Sequence, residues 1–516
     1  MNASPVRSAL PVALAASALL LLLPACSSDD DGPLSCGPNE VERNGQCVPA
    51  RPGGGGGSGG EPGGGDSDVH DGTSALPGDV SSSGGGPPGD TSGEPGGASS
   101  TTDAPPTQPP PGRCPPGEPV TTLTGVVTIP SMELPLPDVS VYVPSGPLVP
   151  IATGATCLPC GQPLSGFPIV ETETNLNGQF ILRGVPEGDN IPLVIEVGKW
   201  RREVTIPRVD PCQINQLPRE MTRLPRNSSE GHIPQFAVTT GGCDALECLL
   251  RKIGIDDSEF TVPSEEGRVH LYAGRGGTDS FSGGPSFPSS MSWWDELDNL
   301  LPYDIIVHSC ECNTNANDKS DRARRALQDF SDAGGRVFLS HLHYIWLSGG
   351  TDDFRAVADW GNSSSGISDN QTGIIDISFD KGTQLAAWME LTGNPGDTPG
   401  QFPIEEARGS IREINSDLAT QWVSINPRCI GVLPGFGGGC PSTLTQYFSF
   451  NTPVFDDPAD QCGRVVFSDI HVSAGDNSSP NRPFPTGCTS SGLTPQERAL
   501  VFMLFDLARC IVPDKI

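Results

Sequence analysis

The chain has 516 residues and carries 62 Asp and Glu against 31 Lys and Arg, a formal charge of −31 at pH 7. Nucleic-acid binding is not expected, because a protein that binds nucleic acid needs a basic surface to neutralise phosphates. Attraction to anionic lipid through charge is excluded for the same reason, whereas an acidic surface suits an exposed protein of two or three domains.

The N-terminus has the pattern of a secretory signal. Arg7 precedes an apolar run that ends at Leu23, and a polar Ser-Ser-Asp-Asp-Asp stretch follows Cys26. The Leu-Pro-Ala-Cys sequence ending at Cys26 resembles the lipobox of bacterial lipoproteins, in which the cysteine becomes the lipidated first residue. The resemblance implies a signal peptide over 1–25 and a lipid anchor in the cell envelope, at the outer membrane of a Gram-negative cell. The alternatives are an ordinary signal peptide and a transmembrane helix, for which the run is short.

Residues 26–113 are too poor in apolar residues to form a core. Residues 26–50 are a short cysteine-containing segment, in which Cys36 and Cys47 are expected to close a turn. Residues 51–113 consist mainly of Gly, Pro, Ser, Asp and Thr, with no aromatic residue. Such a segment buries too little apolar surface to offset the entropy lost on ordering, which predicts a disordered linker. As a coil it would span about 45 Å and hold the folded part away from a membrane.

Sixteen cysteines in an exported chain predict disulfides, which persist outside the reducing cytoplasm. If one cysteine carries lipid, an odd number remains, so at least one thiol is free or paired between chains. Cys157-Leu-Pro-Cys160 has the spacing of a redox motif, but no thioredoxin-like pattern surrounds it, and a zinc knuckle needs a second ligand pair. The candidates for disulfide formation are Cys36, Cys47, Cys157, Cys160, Cys243, Cys248, Cys429 and Cys440.

Residues 114–225 contain short β-branched runs separated by Pro and Gly turns, which predicts an all-β sandwich. The runs lie at 125–129, 139–143, 179–182, 193–197 and 202–206. Together with the Asn177-Gly178 hairpin, Phe180 and the Val185-Pro-Glu-Gly188 turn, they resemble the carboxypeptidase regulatory-like domain. The resemblance implies a non-catalytic, transthyretin-like sandwich. The insertion at 144–168 departs from this pattern, and it is either a disulfide-braced loop or a ligand loop.

Residues 226–516 alternate between strand and helix patterns, which predicts an α/β domain with a mainly parallel, flavodoxin-like sheet. The predicted fold class is therefore multidomain, with a β-sandwich followed by an α/β domain. Strands are predicted at 235–240, 268–273, 303–308, 336–340 and 463–468. Helices are predicted at 243–253, 293–301, 318–333, 383–391 and 494–508. Residues 350–375 and 392–450 are predicted to be long irregular insertions that shape a binding face.

The strand order of this region resembles the class I glutamine-amidotransferase-like superfamily and its ThuA-like branch, over about residues 233–510. In true amidotransferases a cysteine nucleophile lies on a sharp Gly-x-Cys-x-Gly elbow after a strand. Here that place reads Leu339-Ser-His-Leu-His343, with no cysteine and no flanking glycine, and Cys310 and Cys312 also lack elbow glycines. Glutaminase activity is therefore not expected.

Polar and sulfur side chains gather at the predicted carboxyl ends of three strands, the edge where ligands bind in open α/β sheets. His341, His343 and His471 are candidate metal ligands, and with Asp469 they are candidate catalytic residues. Alternatively, the histidines are hydrogen-bonded packing groups and the two cysteines form disulfides with other cysteines. The complete set is His308, Cys310, Cys312, His341, His343, Asp469 and His471.

The sequence leaves three functions open. The first is a cell-envelope lipoprotein that displays non-catalytic binding or adhesion domains, with a glycan or a protein as ligand and no cofactor. The second is an envelope hydrolase acting on glycans or peptides, which requires the strand-end histidines and Asp469 to reach one substrate. The third is a structural surface protein, against which a deep polar pocket at the strand ends would argue.

Overall fold

The computed structural model describes the backbone of residues 40–43 and 46–49, and then residues 114–158, 160–361, 367, 370–393, 398–428, 441–472 and 475–511. The predicted signal peptide, the predicted lipidation site at Cys26 and the predicted linker lie outside these ranges, as do Cys36, Cys429 and Cys440. The predictions for them therefore stay predictions.

The N-terminal unit of the chain, Met1–Thr101, contains one described element, an antiparallel hairpin. Its strands are β1 (Glu40–Arg43) and β2 (Gln46–Pro49), and Cys47 lies within the second. All other described elements belong to the second unit, Thr102–Ile516.

Two small sheets form from residues 122–216, in the region predicted to be all-β. Their order is β6-β3-β9 and β5-β4-β7-β8. Along β6, buried Phe180 and Leu182 alternate with exposed residues, so this strand presents a single apolar face to the core. The strands are β3 (Thr122–Val126), β4 (Ser140–Pro144), β5 (Pro168–Glu173), β6 (Gln179–Arg183), β7 (Gly188–Val197), β8 (Trp200–Val209) and β9 (Ile214–Gln216).

The following part is built on a ten-stranded mixed sheet of order β11-β12-β10-β13-β14-β21-β20-β19-β16-β17. The strands from β11 to β21 in this order run parallel, and the remaining four are antiparallel. β15 and β18 form a separate pair. The strands are β10 (Phe236–Thr239), β11 (Phe260–Thr261), β12 (Val269–Tyr272), β13 (Ile305–His308), β14 (Arg336–Ser340), β15 (Ala358–Trp360), β16 (Asn370–Ile375), β17 (Gln401–Glu405), β18 (Ile411–Ile414), β19 (Thr420–Ile425), β20 (Leu444–Thr452) and β21 (Gly463–Ser468).

The antiparallel half corrects the sequence analysis, which predicted irregular insertions over most of this stretch. β17 alternates buried Phe402 and Ile404 with less buried residues, but Pro403 interrupts the β-branched pattern that would have revealed it. Proline is tolerated there because β17 is the last strand of the sheet, where an N–H is not needed for pairing.

The helices pack against the sheet, and two of the longest have capping groups at their ends. The Ser320 hydroxyl accepts the N–H of Ala323 at the start of α5, and Gly334 after its end has φ +103°, a conformation that favours glycine. Thr494 and Glu497 form a capping box at the start of α9. The helices are α1 (Arg219–Thr222), α2 (Leu246–Lys252), α3 (Ser290–Trp293), α4 (Leu297–Leu300), α5 (Asp321–Asp332), α6 (Ile345–Ser348), α7 (Asp352–Ala356), α8 (Asp380–Leu391) and α9 (Pro495–Leu507).

One helix predicted as continuous is interrupted: residues 293–301 contain the last residue of α3 and the whole of α4, because Glu296 between the two helices is extended, with φ −124° and ψ 122°. Within the described ranges, no helix combines the length and the apolar character needed to cross a bilayer.

The small sheets and the ten-stranded sheet share one hydrophobic core. Trp200 at the start of β8 packs against Phe236 of β10, with ring centroids 6.2 Å apart, and against Phe505 of α9 at 5.6 Å. All three side chains are buried. The junction predicted near residue 225 therefore contains a continuous apolar contact between the two parts.

Disulfides reinforce this junction. Cys157 is bonded to Cys462 and Cys160 to Cys510, so the 144–168 insertion is a disulfide-braced loop whose bonds reach the α/β part. The remaining described bonds are Cys114–Cys212, Cys243–Cys312 and Cys248–Cys488. Four of the cysteines predicted to form disulfides, Cys157, Cys160, Cys243 and Cys248, are among those that the structure places at bonding distance.

A buried ion pair lies at the same junction. The Lys199 ammonium contacts the Asp304 carboxylate and donates a hydrogen bond to the carbonyl oxygen of Gly154 at 2.6 Å. The second oxygen of Asp304 accepts the N–H of Gln235 at 2.6 Å. Both charged side chains are at least nine-tenths buried. Each charge is therefore stable in the core only while its partner is present.

We expect Lys199→Met to lower the free energy of unfolding by about 3–5 kcal/mol, because it leaves the Asp304 carboxylate buried without its cation. Urea denaturation followed by tryptophan fluorescence measures the change. The matched control is Arg208→Met, which removes a cation from an exposed pair with Asp189 and should leave stability almost unchanged. An equal loss of unfolding free energy in the two variants would show that burial of the Lys199–Asp304 pair does not determine its contribution to stability.

Candidate functional site

The carboxyl ends of β13, β14 and β21 bring together Cys310, His341 and His471, which come from three distant segments of the chain. His341 has φ +50°, so the backbone turns sharply as β14 ends. A 3₁₀ turn over His341–Tyr344 follows directly. This turn places the His341 ring above the strand ends, where it meets the other two side chains. We call these three residues the Cys310 cluster.

The Cys310 cluster is tightly packed. The Sγ atom of Cys310 lies 3.4 Å from Nδ1 of His341, and the rings of His341 and His471 have centroids 3.9 Å apart. One sulfur or nitrogen atom from each residue lies within 4.8 Å of the other two. Cys310 is fully buried and His341 is 5 % exposed, so the cluster sits just below the protein surface. Nδ1 of His471 lies 2.5 Å from a carboxylate oxygen of Glu406, which fixes that ring.

Cys310 is a free thiol, which corrects the prediction that it forms a disulfide. Its neighbour Cys312 does form one, with Cys243 in the loop after β10, whereas Cys310 faces the imidazole of His341. Burial raises the pKa of the Cys310 thiol to about 12, and the nearby Asp244 carboxylate acts in the same direction. The thiol is therefore protonated at neutral pH.

The His341 imidazole does not activate this thiol. Burial lowers the pKa of His341 well below its usual range, and the adjoining His471 ring lowers it further. A reactive thiolate needs a neighbouring positive charge, such as an imidazolium. Because both the thiol and the imidazole are neutral, the pair contains no preformed nucleophile.

The structure separates His343 from His341, with which the sequence analysis had grouped it as a metal ligand. Residues two apart in a 3₁₀ turn point to different sides, whereas they would share a side in a strand. His343 is fully buried, with Nε2 3.6 Å from a carboxylate oxygen of Glu311, which also binds the Lys319 ammonium at 2.7 Å. His308 packs nearby, with its ring stacked on Trp346 at 5.1 Å. His343 therefore belongs to a separate buried group.

Asp469 also lies outside the Cys310 cluster. One of its carboxylate oxygens accepts the N–H of Ser410 at 2.7 Å, and the side chain is fully buried. The four residues considered as one catalytic set are thus divided: His341 and His471 meet, while His343 and Asp469 have partners of their own.

Asp244 and Glu406, two acidic residues that the sequence analysis did not select, hold the loops of the site. Asp244 accepts hydrogen bonds from the Ser340 hydroxyl and, at 2.8 Å, from the N–H of Val472. It therefore ties the loop after β10 to the loops after β14 and β21. Asp244 follows a predicted strand closely enough to have been chosen, whereas Glu406 lies in a stretch predicted to be irregular.

The place where an open α/β sheet usually takes a ligand is closed. The chain order reverses at β10, whose neighbours are β12 and β13, and ligands typically bind in the crevice at such a switch point. Here the loops after β10 and β13 are joined by the Cys243–Cys312 bond, and the N–H of Cys243 donates to the carbonyl oxygen of Cys310 at 3.0 Å. A Cβ atom on Gly241 would lie 2.2 Å from that same oxygen. The two loops therefore fill the crevice themselves.

Comparisons with known proteins find no matching family model and no matching curated protein. Among solved structures, the chain is similar to a ThuA-like protein from Bacteroides uniformis, at 12 % identity and a TM-score of 0.27, over 52 % of this chain and 90 % of that one. It is similar to a cytoplasmic protein from Salmonella typhimurium, at 11 % identity and a TM-score of 0.29, over 54 % of this chain and 100 % of that one.

A third similarity is to a chain of a type II cohesin–X–dockerin complex from Acetivibrio cellulolyticus, at 14 % identity and a TM-score of 0.15, over 26 % of this chain and 85 % of that one. None of these similarities assigns a family or an activity to the chain.

The buried carboxyl of Asp469 predicts a dependence of stability on pH. Burial raises its pKa from 3.8 to about 7, so the folded protein binds the proton more tightly than the unfolded chain does. The stabilisation is fully present below pH 3.8 and is lost as the pH rises through 7. We expect Asp469→Asn, which keeps the acceptor for Ser410, to be more stable than the unsubstituted protein at pH 8, by up to about 4 kcal/mol.

Urea denaturation at pH 5 and pH 8 measures this effect as the difference between the two proteins. The difference should be larger at pH 8, where the Asp469 carboxyl of the unsubstituted protein is mostly charged. A difference that does not change between the two pH values would refute the raised pKa of Asp469.

Proposed function

We propose that this protein is an exported, lipid-anchored surface protein whose folded part is a binding module and not a hydrolase. The observation that carries this proposal is the closed edge of the large sheet. The Cys243–Cys312 bond and the packing of Gly241 against Cys310 fill the crevice in which an α/β enzyme would hold a substrate. The neutral, buried Cys310 and His341 beside it supply no nucleophile.

Export is supported by the disulfides of the described residues. Five bonds close loops with sequence separations between 69 and 350 residues. Such bonds form and persist in oxidising compartments and are rare in the cytoplasm. Together with the lipobox-like sequence ending at Cys26, they favour a mature chain that begins with a lipidated cysteine and folds outside the cytoplasm.

A protein partner is favoured by an exposed apolar patch on the β-rich part, which we call the β5 patch. Phe167 is 82 % exposed and Ile169 is 52 % exposed, at the beginning of β5. Val149, also exposed, is nearby in the same loop, because its N–H donates to the Ser165 hydroxyl at 2.6 Å. The Phe167 carbonyl accepts a hydrogen bond from the Ser145 hydroxyl at 2.6 Å, which holds the aromatic residue in place.

At the β5 patch, a partner could pair with the backbone of β5 as well as contact the apolar side chains. β5 is the last strand of its sheet, so one side of its backbone has no strand partner among the described elements. An edge strand with apolar side chains is a surface on which a strand of another protein can pair. A protein segment uses both features, whereas a glycan would use the aromatic ring alone, so the partner we propose is a protein.

The first test of this proposal is the anchor. In the native host, Cys26→Ser should move the protein from the membrane fraction to the soluble fraction and abolish incorporation of labelled fatty acid, because no other anchor is proposed. Fractionation and metabolic labelling measure this. Continued membrane association without label would mean that the lipid is not the anchor.

The second test is the binding surface. We expect Phe167→Asp to weaken binding of the full mature chain to an immobilised envelope protein fraction by about tenfold, roughly 1.4 kcal/mol, because it buries a charge in an apolar contact. The matched control is Phe455→Asp, at another exposed phenylalanine that is 48 % exposed and outside the β5 patch. Biolayer interferometry measures both variants. Equal losses, or binding only to the purified glycan fraction, would refute the β5 patch as a protein-binding surface.

A further inference from the structure

We propose that Cys310, His341 and His471 bind a divalent transition-metal ion of the zinc class. This site is distinct from the β5 patch and does not depend on the function proposed above. It uses the cluster at the ends of β13, β14 and β21. The ligand set is one sulfur and two imidazole nitrogens, which suits zinc, whereas calcium and magnesium take oxygen ligands.

The distances fit a tetrahedral ion. Zinc lies about 2.3 Å from sulfur and about 2.0–2.1 Å from nitrogen, so a sulfur and a nitrogen on the same tetrahedral ion are separated by roughly 3.5 Å. The observed separation between Sγ of Cys310 and Nδ1 of His341 is 3.4 Å. The third ligand atom, from His471, completes a set in which no pair is further apart than 4.8 Å. Small side-chain rotations bring this set to the spacing of a bound ion.

His471 is already oriented as a ligand. Its Nδ1 atom lies 2.5 Å from a carboxylate oxygen of Glu406, and its Nε2 atom is buried without a hydrogen-bond partner among the described residues. A metal-bound histidine commonly has this arrangement, with one ring nitrogen on a carboxylate and the other on the ion. A buried nitrogen without a partner is unfavourable, so a ligand for Nε2 is expected on energetic grounds.

The free thiol is the second independent observation. The five described disulfides use ten cysteines, and Cys310 is the free cysteine that the structure describes. It lies two residues from the disulfide-bonded Cys312 but contacts an imidazole. On binding, the Cys310 sulfur gives its proton to solvent and coordinates the ion as a thiolate. The ion's remaining positive charge is offset by Glu406 behind His471 and by Asp244, whose charge acts on Cys310.

The geometry also distinguishes this site from the neighbouring histidines. His343 faces Glu311, whose carboxylate binds the Lys319 ammonium at 2.7 Å. The Lys319 ammonium already neutralises this carboxylate and would repel a cation bound beside it, so the His343 group does not compete for the metal. Three protein ligands leave a fourth coordination position, which a water molecule would occupy, because the loops after β10 and β13 fill the crevice beside it and leave no room for a substrate.

The test uses the full mature chain, freed of metal with a chelator and titrated with Co²⁺ as a spectroscopic substitute for Zn²⁺. We expect one equivalent of Co²⁺ to bind with a thiolate-to-cobalt charge-transfer band in the near ultraviolet. Zn²⁺ should displace it and raise the Tm of the protein. Cys310→Ala should abolish the band, and His471→Gln should weaken zinc binding at least tenfold in isothermal titration calorimetry.

The matched control is His270→Gln, at a histidine outside the cluster that is hydrogen-bonded to Tyr303. It should bind Co²⁺ and Zn²⁺ as the unsubstituted protein does. Circular dichroism establishes that each variant is folded. Because His471 is partly exposed, His471→Gln should disturb the fold less than Cys310→Ala does. No binding by the folded, unsubstituted chain, binding without a thiolate band, or a band that survives in Cys310→Ala would each overturn the proposal.

Discussion

The Cys243–Cys312 bond determines what the large sheet can do. It joins the loops after β10 and β13 at the point where the strand order reverses, and Gly241 packs against the Cys310 carbonyl beneath it. This closure fills the crevice in which open α/β sheets usually bind ligands. It also holds the backbone of Cys310 in place, so that the neighbouring sulfur faces histidine instead of a second cysteine. The closed crevice and the free thiol of Cys310 therefore both follow from the Cys243–Cys312 bond.

The parallel half of the sheet could be predicted from the sequence, and the antiparallel half could not. β10, β13, β14 and β21 are short apolar runs buried on both faces, with helical segments between them, and this combination has few alternatives. The strands from β16 to β20 have no such signature. Residues such as Pro403 and Gly373 disguise their alternation. Their existence depends on tertiary contacts that local patterns do not contain.

The location of the candidate site could be predicted from the sequence, but which side chains meet there could not. Cys310, His341 and His471 each follow a recognisable strand, and parallel strands end at a common edge, so their proximity follows from topology. Which side chains converge depends on the local backbone conformation after each strand ends. The positive φ of His341 and the 3₁₀ turn after it send His343 to another group. The choice of Cys312 over Cys310 as the partner of Cys243 depends on the same kind of local detail.

The two bonds made by the 157–160 segment have a mechanical consequence. Cys157 and Cys160 are three residues apart, yet one is bonded to the beginning of β21 and the other to the end of the described chain after α9. A force that enters the β-rich part from its N-terminal side therefore reaches the large sheet through covalent bonds, in parallel with the apolar contact around Trp200. The two parts cannot be peeled apart one contact at a time. A force that pulls the two parts away from each other would therefore load these covalent bonds before the junction opens.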